Sequence, residues 1–428
     1  MNYEYEYEKY KAYDSVSLLD RNALHSLTSE REQSSNSDAC PLDIVPKELL
    51  TSKRDTHVSP DPAQADRDPK DLLTSLRESV KTLLDKYGVV IIPNVLNKEE
   101  QNNMMNGMWD MFEHLTQKWT KGSDDDYRIK RYDKNTWLSL FDLEPTNNMM
   151  YQKWNIGHAQ HLWDLRMNIK IVNIFADIWD VKPEELLVSF DGLSFLPPPE
   201  ETDIGWSDGD TWFHLDQTVT KPYFDGIQGW ITGVDVEEGD GSLLFYEGSH
   251  KLIENFVENF GIRTKSDWVL LKEDEDEFFK ERCEMKAIKC PAGSLVIWDS
   301  RTVHCGMGPI KDRKNDNFRC ISYLSYSPRS KCDEKILKEK IEGFNEMKTS
   351  NHYANRATFF PTLSNKLNKY DINELVTPLE KPILNDLGKC LVGKSSPKGL
   401  QPSASGKSSP KGLQPSASGK SSPKGLQP

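Results

Sequence analysis

Residues 212–218 read WFHLDQT, with His214 and Asp216 two apart in an otherwise apolar and aromatic run. In a β-strand, residues i and i+2 point to the same face. As a strand, this run sets an imidazole and a carboxylate side by side, roughly 6–7 Å apart along the chain, a spacing that can bite one metal. The neighbouring sequence supports the strand reading. From Leu187 the apolar period shifts to two: LLVSFDGLSFL, GIQGWITGVDV, GSLLFYEGSH, GSLVIWDS and FRCISYLSYS are short runs separated by Gly, Pro and Asp. That pattern predicts an all-β barrel or jelly roll. An acidic insert, KEDEDEFFKE, interrupts it as a solvated face.

Before the β region the period is helical. LLTSLRESVKTLLDKYG spaces Leu72, Leu73, Leu76, Val80, Leu83 and Leu84 for a helix ending at Gly88. VVIIP follows as a buried strand stopped by Pro93. Next comes a helix N-capped by Asn97 with Met104, Met108, Met111 and Phe112 on its core stripe. Another helical stretch lies between Gln160 and Trp179, and KILKEKIEGFNEM after Ser330 reads as a surface helix.

The ends differ from the middle. From Gly393 the unit GKSSPKGLQPSAS repeats to Pro428, with six Lys and no acid. Each unit is too rich in Pro, Gly and Ser to bury a core. Residues 1–70 are Ser-, Asp- and Pro-rich, with a docked segment expected near Leu18 and Leu19. The expected organisation is a disordered arm (1–70), a folded domain that holds the His214 and Asp216 strand (71–345), an extension packed on the core (346–392) and a disordered basic tail (393–428). The net charge of −13 splits accordingly: apart from the tail, 48 Lys and Arg face 67 acids. That balance argues against a general nucleic-acid binder, though the tail is a candidate for polyanion contact. No apolar run of about 18 residues predicts a membrane span. The absence of an apolar leader, and seven Cys without a C-x-x-C, suggest a reducing, cytoplasmic setting.

A second chemical block completes the first. PAGSLVIWDSRTVHCG is an apolar strand, a turn and then His304. Two His and one carboxylate form the facial triad of non-haem Fe(II) oxygenases, which leaves coordination positions open. Arg319 stands fifteen residues beyond His304 in FRCISYLSY, where a guanidinium in an apolar strand would grip a carboxylate bidentately.

These blocks, together with YGVVIIPNVLNKEE and GWITGVDVEEGDGSLLFYEGSHK, resemble the phytanoyl-CoA dioxygenase family of Fe(II)/2-oxoglutarate-dependent oxygenases, from Tyr87 to about Pro328. The resemblance implies a double-stranded β-helix (jelly roll, cupin-like), mainly β with α, buttressed by N-terminal helices. It implies that His214, Asp216 and His304 hold Fe(II), that Arg319 binds 2-oxoglutarate and that Trp230 lines the same pocket. O2 is then the oxidant and ascorbate an accessory. The family's arginine lies closer to its distal histidine than Arg319 does to His304, so Arg313 competes. Arg319 is preferred because Arg313 falls in the charged loop KDRKNDN. The carboxylate of Asp216, where halogenating relatives have a small residue, argues for hydroxylation. A small-molecule or lipid-like substrate is expected. The rival readings are a protein or nucleic-acid substrate, a silent binding barrel and a metal enzyme that dispenses with 2-oxoglutarate.

Other residues have structural readings. His158 and His161 are expected as core or surface histidines rather than on zinc, His250 in a capping turn, and Cys305 as a packed thiol. Arg301 is expected to pair with Asp299, and Trp206 and Trp212 to lie at the mouth.

Overall fold

A computed structural model describes residues 11–13, 80–121, 125–363 and 375–395 of the chain. The expected docking near Leu18 and Leu19, the start of the first helix at Leu72 and most of the repeat tail lie outside these residues.

Two six-stranded sheets face one another. The strands, in chain order, are β1 (Lys11–Tyr13), β2 (Val89–Ile92), β3 (Met150–Tyr151), β4 (Leu193–Leu196), β5 (His214–Leu215), β6 (Ile227–Thr232), β7 (Ser242–Tyr246), β8 (Val269–Leu270), β9 (Met285–Ile288), β10 (Leu295–Asp299), β11 (His304–Met307) and β12 (Arg319–Leu324). One sheet runs β2-β10-β6-β12-β4-β3 and the other β1-β9-β7-β11-β5-β8. Every pairing except β1 with β9 is antiparallel. From β4 to β7, and again from β9 to β12, the chain crosses to the other sheet at each successive strand, as the jelly roll requires.

The period-two pattern sorts side chains into three layers. On the outer face of the first sheet, Val90, Ile92, Leu295, Ile297, Ile231 and Phe195 pack against helices. Between the sheets lie Val89, Ile91, Trp230, Phe245, Val296, Trp298 and Ile321. On the outer face of the second sheet, Phe213, Leu215, Leu244, Tyr246 and Cys305 pack on Phe256, Phe278 and Phe279. Burying a Leu- or Phe-sized side chain stabilises by about 1.5–3 kcal/mol, so both outer faces need a cover.

The helices supply it. α1 (Lys98–Leu115) starts at Asn97, whose side chain accepts from Glu100 N while Glu100 accepts from Asn97 N, a complete capping box. Its buried stripe is Met104, Met108, Met111 and Phe112, as the spacing predicts. The stretch 160–179 divides into α2 (Gln160–Arg166) and α3 (Ile169–Trp179). The break falls at Asn168, which caps α3 by accepting from Lys170 N. On the other side, α4 (Ile253–Phe260) and α5 (Glu273–Lys280) cover the second sheet. The acidic run is thus a helix with Phe278, Phe279 and the capping-box Glu275 buried and most of its other charges exposed. Two C-terminal helices, α6 (Glu334–Asn345) and α7 (Asp386–Val392), close the first-sheet side. Among the described residues, no helix is long and apolar enough to cross a membrane.

Candidate metal centre

The strand pair β5–β11 builds the centre. His304 is the register partner of His214, so the two imidazoles sit side by side with ring centroids 4.4 Å apart. Asp216, just past β5, turns its carboxylate between them. Its Oδ2 is 3.4 Å from His214 Nε2 and 3.3 Å from His304 Nε2. All three residues are buried, and their candidate ligand atoms lie within 4.8 Å of one another.

Backbone carbonyls set the histidine tautomers. His214 Nδ1 lies 3.2 Å from Trp212 O, and His304 Nδ1 lies 2.8 Å from Thr302 O. An Nδ1 that donates to a carbonyl leaves Nε2 with its lone pair, so both Nε2 atoms offer lone pairs beside the carboxylate. Trp212 stacks on His214 at 4.7 Å and 2° and donates to Gly306 O at 2.9 Å, which holds that ring in plane.

Electrostatics favour an ionised Asp216 and a neutral His304. Burial pushes the Asp216 carboxyl up, but His214, His352 and His304 outweigh it and hold the group well below the ordinary carboxylate range. Burial and the neighbouring His214 push His304 down, towards the neutral imidazole a metal needs. Burial also presses on His214, but Asp216 outweighs it and raises that group.

The turn before His304 is held from several sides. Thr302 donates to Gly88 O at 3.0 Å, and Val303 N donates to Ser249 Oγ at 2.9 Å. Gly88 has φ +80, and a Cβ there would stand 2.6 Å from both His250 Nδ1 and Thr302 Oγ1. Arg301 grips Asp299 with two bonds, at 3.0 and 2.7 Å, as its spacing predicts. His250, also as expected, serves structure, with Nε2 2.9 Å from Asp85 O. Cys305 is buried on the outer face of its strand, where burial pushes the thiol up to about 12.

A second polar cluster sits between the sheets. Arg319, on β12, shares its inward face with Ile321 and Tyr323. Its Nε donates to Ser194 Oγ at 2.7 Å and its Nη1 to Gly241 O at 2.6 Å. Neither partner is charged, and among the described residues Arg319 makes no ion pair. Tyr323 is hydrogen-bonded within the same group, to Ser194 and Arg319. Trp230 pairs in register with Tyr323, is buried, and has an indole Nε1 without a partner. Arg313 differs from its expected loop setting. Its side chain is 1% exposed and fully engaged, with Glu200 at 2.7 Å and Asp240 at 2.9 Å. The loop is charged in sequence, but its arginine is a clamp folded inward.

His158 and His161 are core residues: both are buried, and His158 Nε2 lies 3.0 Å from Lys348 O. Trp206 is half-buried and donates to Asp203 at 3.2 Å. Trp268, which the sequence reading passed over, stands half-exposed with its ring 6.0 Å from His214.

Sequence reasoning also missed the other neighbours of Asp216. Gln228 Nε2 donates to its Oδ2 at 3.0 Å, and Tyr353 Oη donates to its backbone carbonyl at 2.5 Å. His352 hydrogen-bonds the Asp216 backbone and has a buried Nε2 without a partner. Gln228 was legible in principle as an inward position of β6, two before Trp230. The other two come from beyond Asn345 and carry no local signal.

The donor set suits Fe(II): two neutral imidazole nitrogens and one ionised carboxylate on a single side leave the opposite side for other ligands. The family model for phytanoyl-CoA dioxygenase matches residues 84–308. The chain is 26% identical over 213 residues to Ava biosynthesis cluster protein O of Aspergillus versicolor, covering 47% of this chain and 66% of that relative, just under two thirds of its length. Among solved structures it is similar to EvdO2 of Micromonospora carbonacea var. aurantiaca complexed with 2-oxoglutarate, at 18% identity and TM-score 0.37 over 57% of this chain and 88% of that one. It is also similar to the α-ketoglutarate-dependent epimerase SnoN of nogalamycin biosynthesis, at 15% identity and TM-score 0.36 over 60% and 84%. With more than half its length matched, the chain belongs to the phytanoyl-CoA dioxygenase family.

Proposed function

We propose that this chain hydroxylates a small organic molecule, with His214, Asp216 and His304 holding Fe(II) and Arg319 binding the far carboxylate of 2-oxoglutarate. The observation that carries the reading is the convergence of two Nε2 atoms on Asp216 while both Nδ1 atoms are committed to carbonyls. When bound, Fe(II) and 2-oxoglutarate supply the oxidising power, with succinate and CO2 as co-products. The chain's own residues supply geometry and dryness.

Each residue has a part. Gln228 donates to Asp216 and fixes which carboxylate oxygen turns towards the histidines. Ser194 and Gly241 O hold two edges of Arg319 and aim the rest of the guanidinium. An unpaired guanidinium this deeply buried favours an anionic ligand, because a buried charge is stable only when matched. Arg313 already has its carboxylates, which favours Arg319 for the co-substrate. Trp230 lines the space beside Tyr323. The intact Asp216 supports hydroxylation over halide transfer. Trp212 and Trp268, at the edge of the centre, favour a substrate with apolar or planar surface. The catalytic unit in this reading spans 71–345 with the packed segment 346–392, and the basic repeats are a separate tether.

The test is O2-dependent succinate formation by protein loaded anaerobically with Fe(II), first with 2-oxoglutarate alone and then with fractionated metabolite extracts. The reading expects slow succinate release that one fraction stimulates, with one oxygen atom of 18O2 entering a product. Full turnover in His214→Ala or Asp216→Ala would remove the metal assignment. Full succinate formation in Arg319→Ala would remove Arg319 as the residue that holds the co-substrate carboxylate. A wild-type protein without turnover would point to a binding barrel.

A further inference from the structure

The segment 349–360 lies beyond the family match, yet it runs to the metal centre. It is pinned to the core at its start: Ser350 N donates to Phe190 O at 3.0 Å, and Phe190 N donates to Ser350 Oγ at 2.8 Å. It closes on itself through a bridge between Ser350 and Phe359 and a bond from Asn351 N to Thr358 O at 3.1 Å. The loop so formed projects His352, Tyr353 and Arg356.

Tyr353 is 4% exposed, and its hydroxyl reaches the backbone carbonyl of Asp216 at 2.5 Å. The Asp216 N–H is held on the other side by Ser300 O at 3.3 Å. The two bonds fix the peptide planes flanking Asp216, whose carboxylate lies between the histidines. The Tyr353 ring is fixed in turn. The His352 ring stands 4.4 Å from it, and the Arg356 guanidinium lies 3.7 Å over it. Arg356 also pairs with Asp267, beside Trp268 at the mouth of the site. A tyrosine that merely filled core would need any acceptor. This one takes the carbonyl of the carboxylate that faces both imidazoles, and burial keeps its phenol protonated as a donor.

We infer that Tyr353 is a positioning residue for the metal centre: through its hydroxyl bond to the Asp216 carbonyl, the segment 349–360 holds the carboxylate ligand in place for Fe(II). The inference rests on the triad reading above and extends it to a part of the chain outside the family match. Partners that orient metal ligands typically change metal affinity ten- to a hundredfold when lost. A single bond to the ligand's backbone belongs at the low end of that range.

The test is an anaerobic Fe(II) titration of the full chain with saturating 2-oxoglutarate, read by the visible charge-transfer absorption the two give together. Metal-free melting temperatures are measured in parallel. Tyr353→Phe keeps the ring and removes only the hydroxyl. The expected result is roughly five- to twentyfold weaker Fe(II) binding, with a metal-free melting temperature near that of wild type. Wild-type Fe(II) affinity in Tyr353→Phe, or a loss that follows a drop in metal-free stability, would overturn the inference. If Tyr353→Phe does not fold, Arg356→Met carries the test, because it leaves the phenol but removes the cation over its ring. About two- to threefold weakening is then expected, and unchanged affinity would overturn the inference. A wild-type chain that gives no absorption removes the triad reading, and this inference with it.

Discussion

At Arg319 and Arg313 the same side chain has two different environments. Arg313 has two carboxylates, so Arg313→Ala leaves Glu200 and the buried Asp240 facing a missing charge. Its expected effect is on stability: a fall in melting temperature with little change in the KM for 2-oxoglutarate at permissive temperature. Arg319 has only neutral partners. Arg319→Ala is expected to raise that KM at least tenfold, as a lost charge-assisted contact of about 1.5–3 kcal/mol implies. Steady-state succinate assays of the two variants, with melting curves, check both outcomes. The triad was legible in the sequence because β5 places His214 and Asp216 on one face within three residues, and because an apolar strand and a turn announce His304. The preference for Arg319 over Arg313 rested in the sequence only on the strand character of FRCISYL. Ser194, Gln228, His352 and Tyr353 were not legible as site residues, because only the pairing of distant strands and the C-terminal loop brings them to the centre.

Elements show where local signals suffice and where packing overrides them. The N-cap at Asn97 was readable from one residue, and the structure adds Glu100 to complete a capping box. Asn97→Ala is expected to cost roughly 1 kcal/mol, measured as a shift in the denaturation midpoint. The stretch 160–179 read as one helix, since its apolar residues continue through the break, but the Asn168 side chain turns the backbone and starts a new helix. In α6, Lys340 looked like a surface residue of a charged helix. Instead it is buried, donates to Val188 O at 2.6 Å and stands 3.8 Å over the Phe190 ring. Burial pushes its ammonium down to about 7. An unfolded lysine keeps its proton to about pH 10. Between about pH 7 and 10 the unfolded chain therefore binds more protons than the folded one, and stability rises with pH across that window. Lys340→Met is expected to flatten that rise, seen by comparing melting temperatures of the two proteins from pH 7 to pH 10.

Across the whole molecule, the sheets follow from alternation. Each strand carries one residue set for the space between the sheets and one for an outer cover, and the chain supplies helices for both covers. That much was readable, including the helices-first order. What could not be read was the reach of the C-terminal part. Residues 346–392 read as an extension packed on the core, in keeping with the fully buried Leu391 and Val392, but nothing in the sequence showed that Tyr353 reaches Asp216. A chain ending after residue 395 is expected to melt and bind Fe(II) as the full chain does. A chain ending after residue 345 is expected to lose cooperative unfolding, and calorimetry of both distinguishes the cases. The most direct test of the central claim is the amount of Fe(II) bound at equilibrium in anaerobic dialysis, with and without 2-oxoglutarate, by the full chain and by Asp216→Ala. The account predicts one Fe(II) per wild-type chain, held more tightly with 2-oxoglutarate, and none held specifically by the variant. Equal Fe(II) binding by both proteins, or none by the wild type, would contradict it.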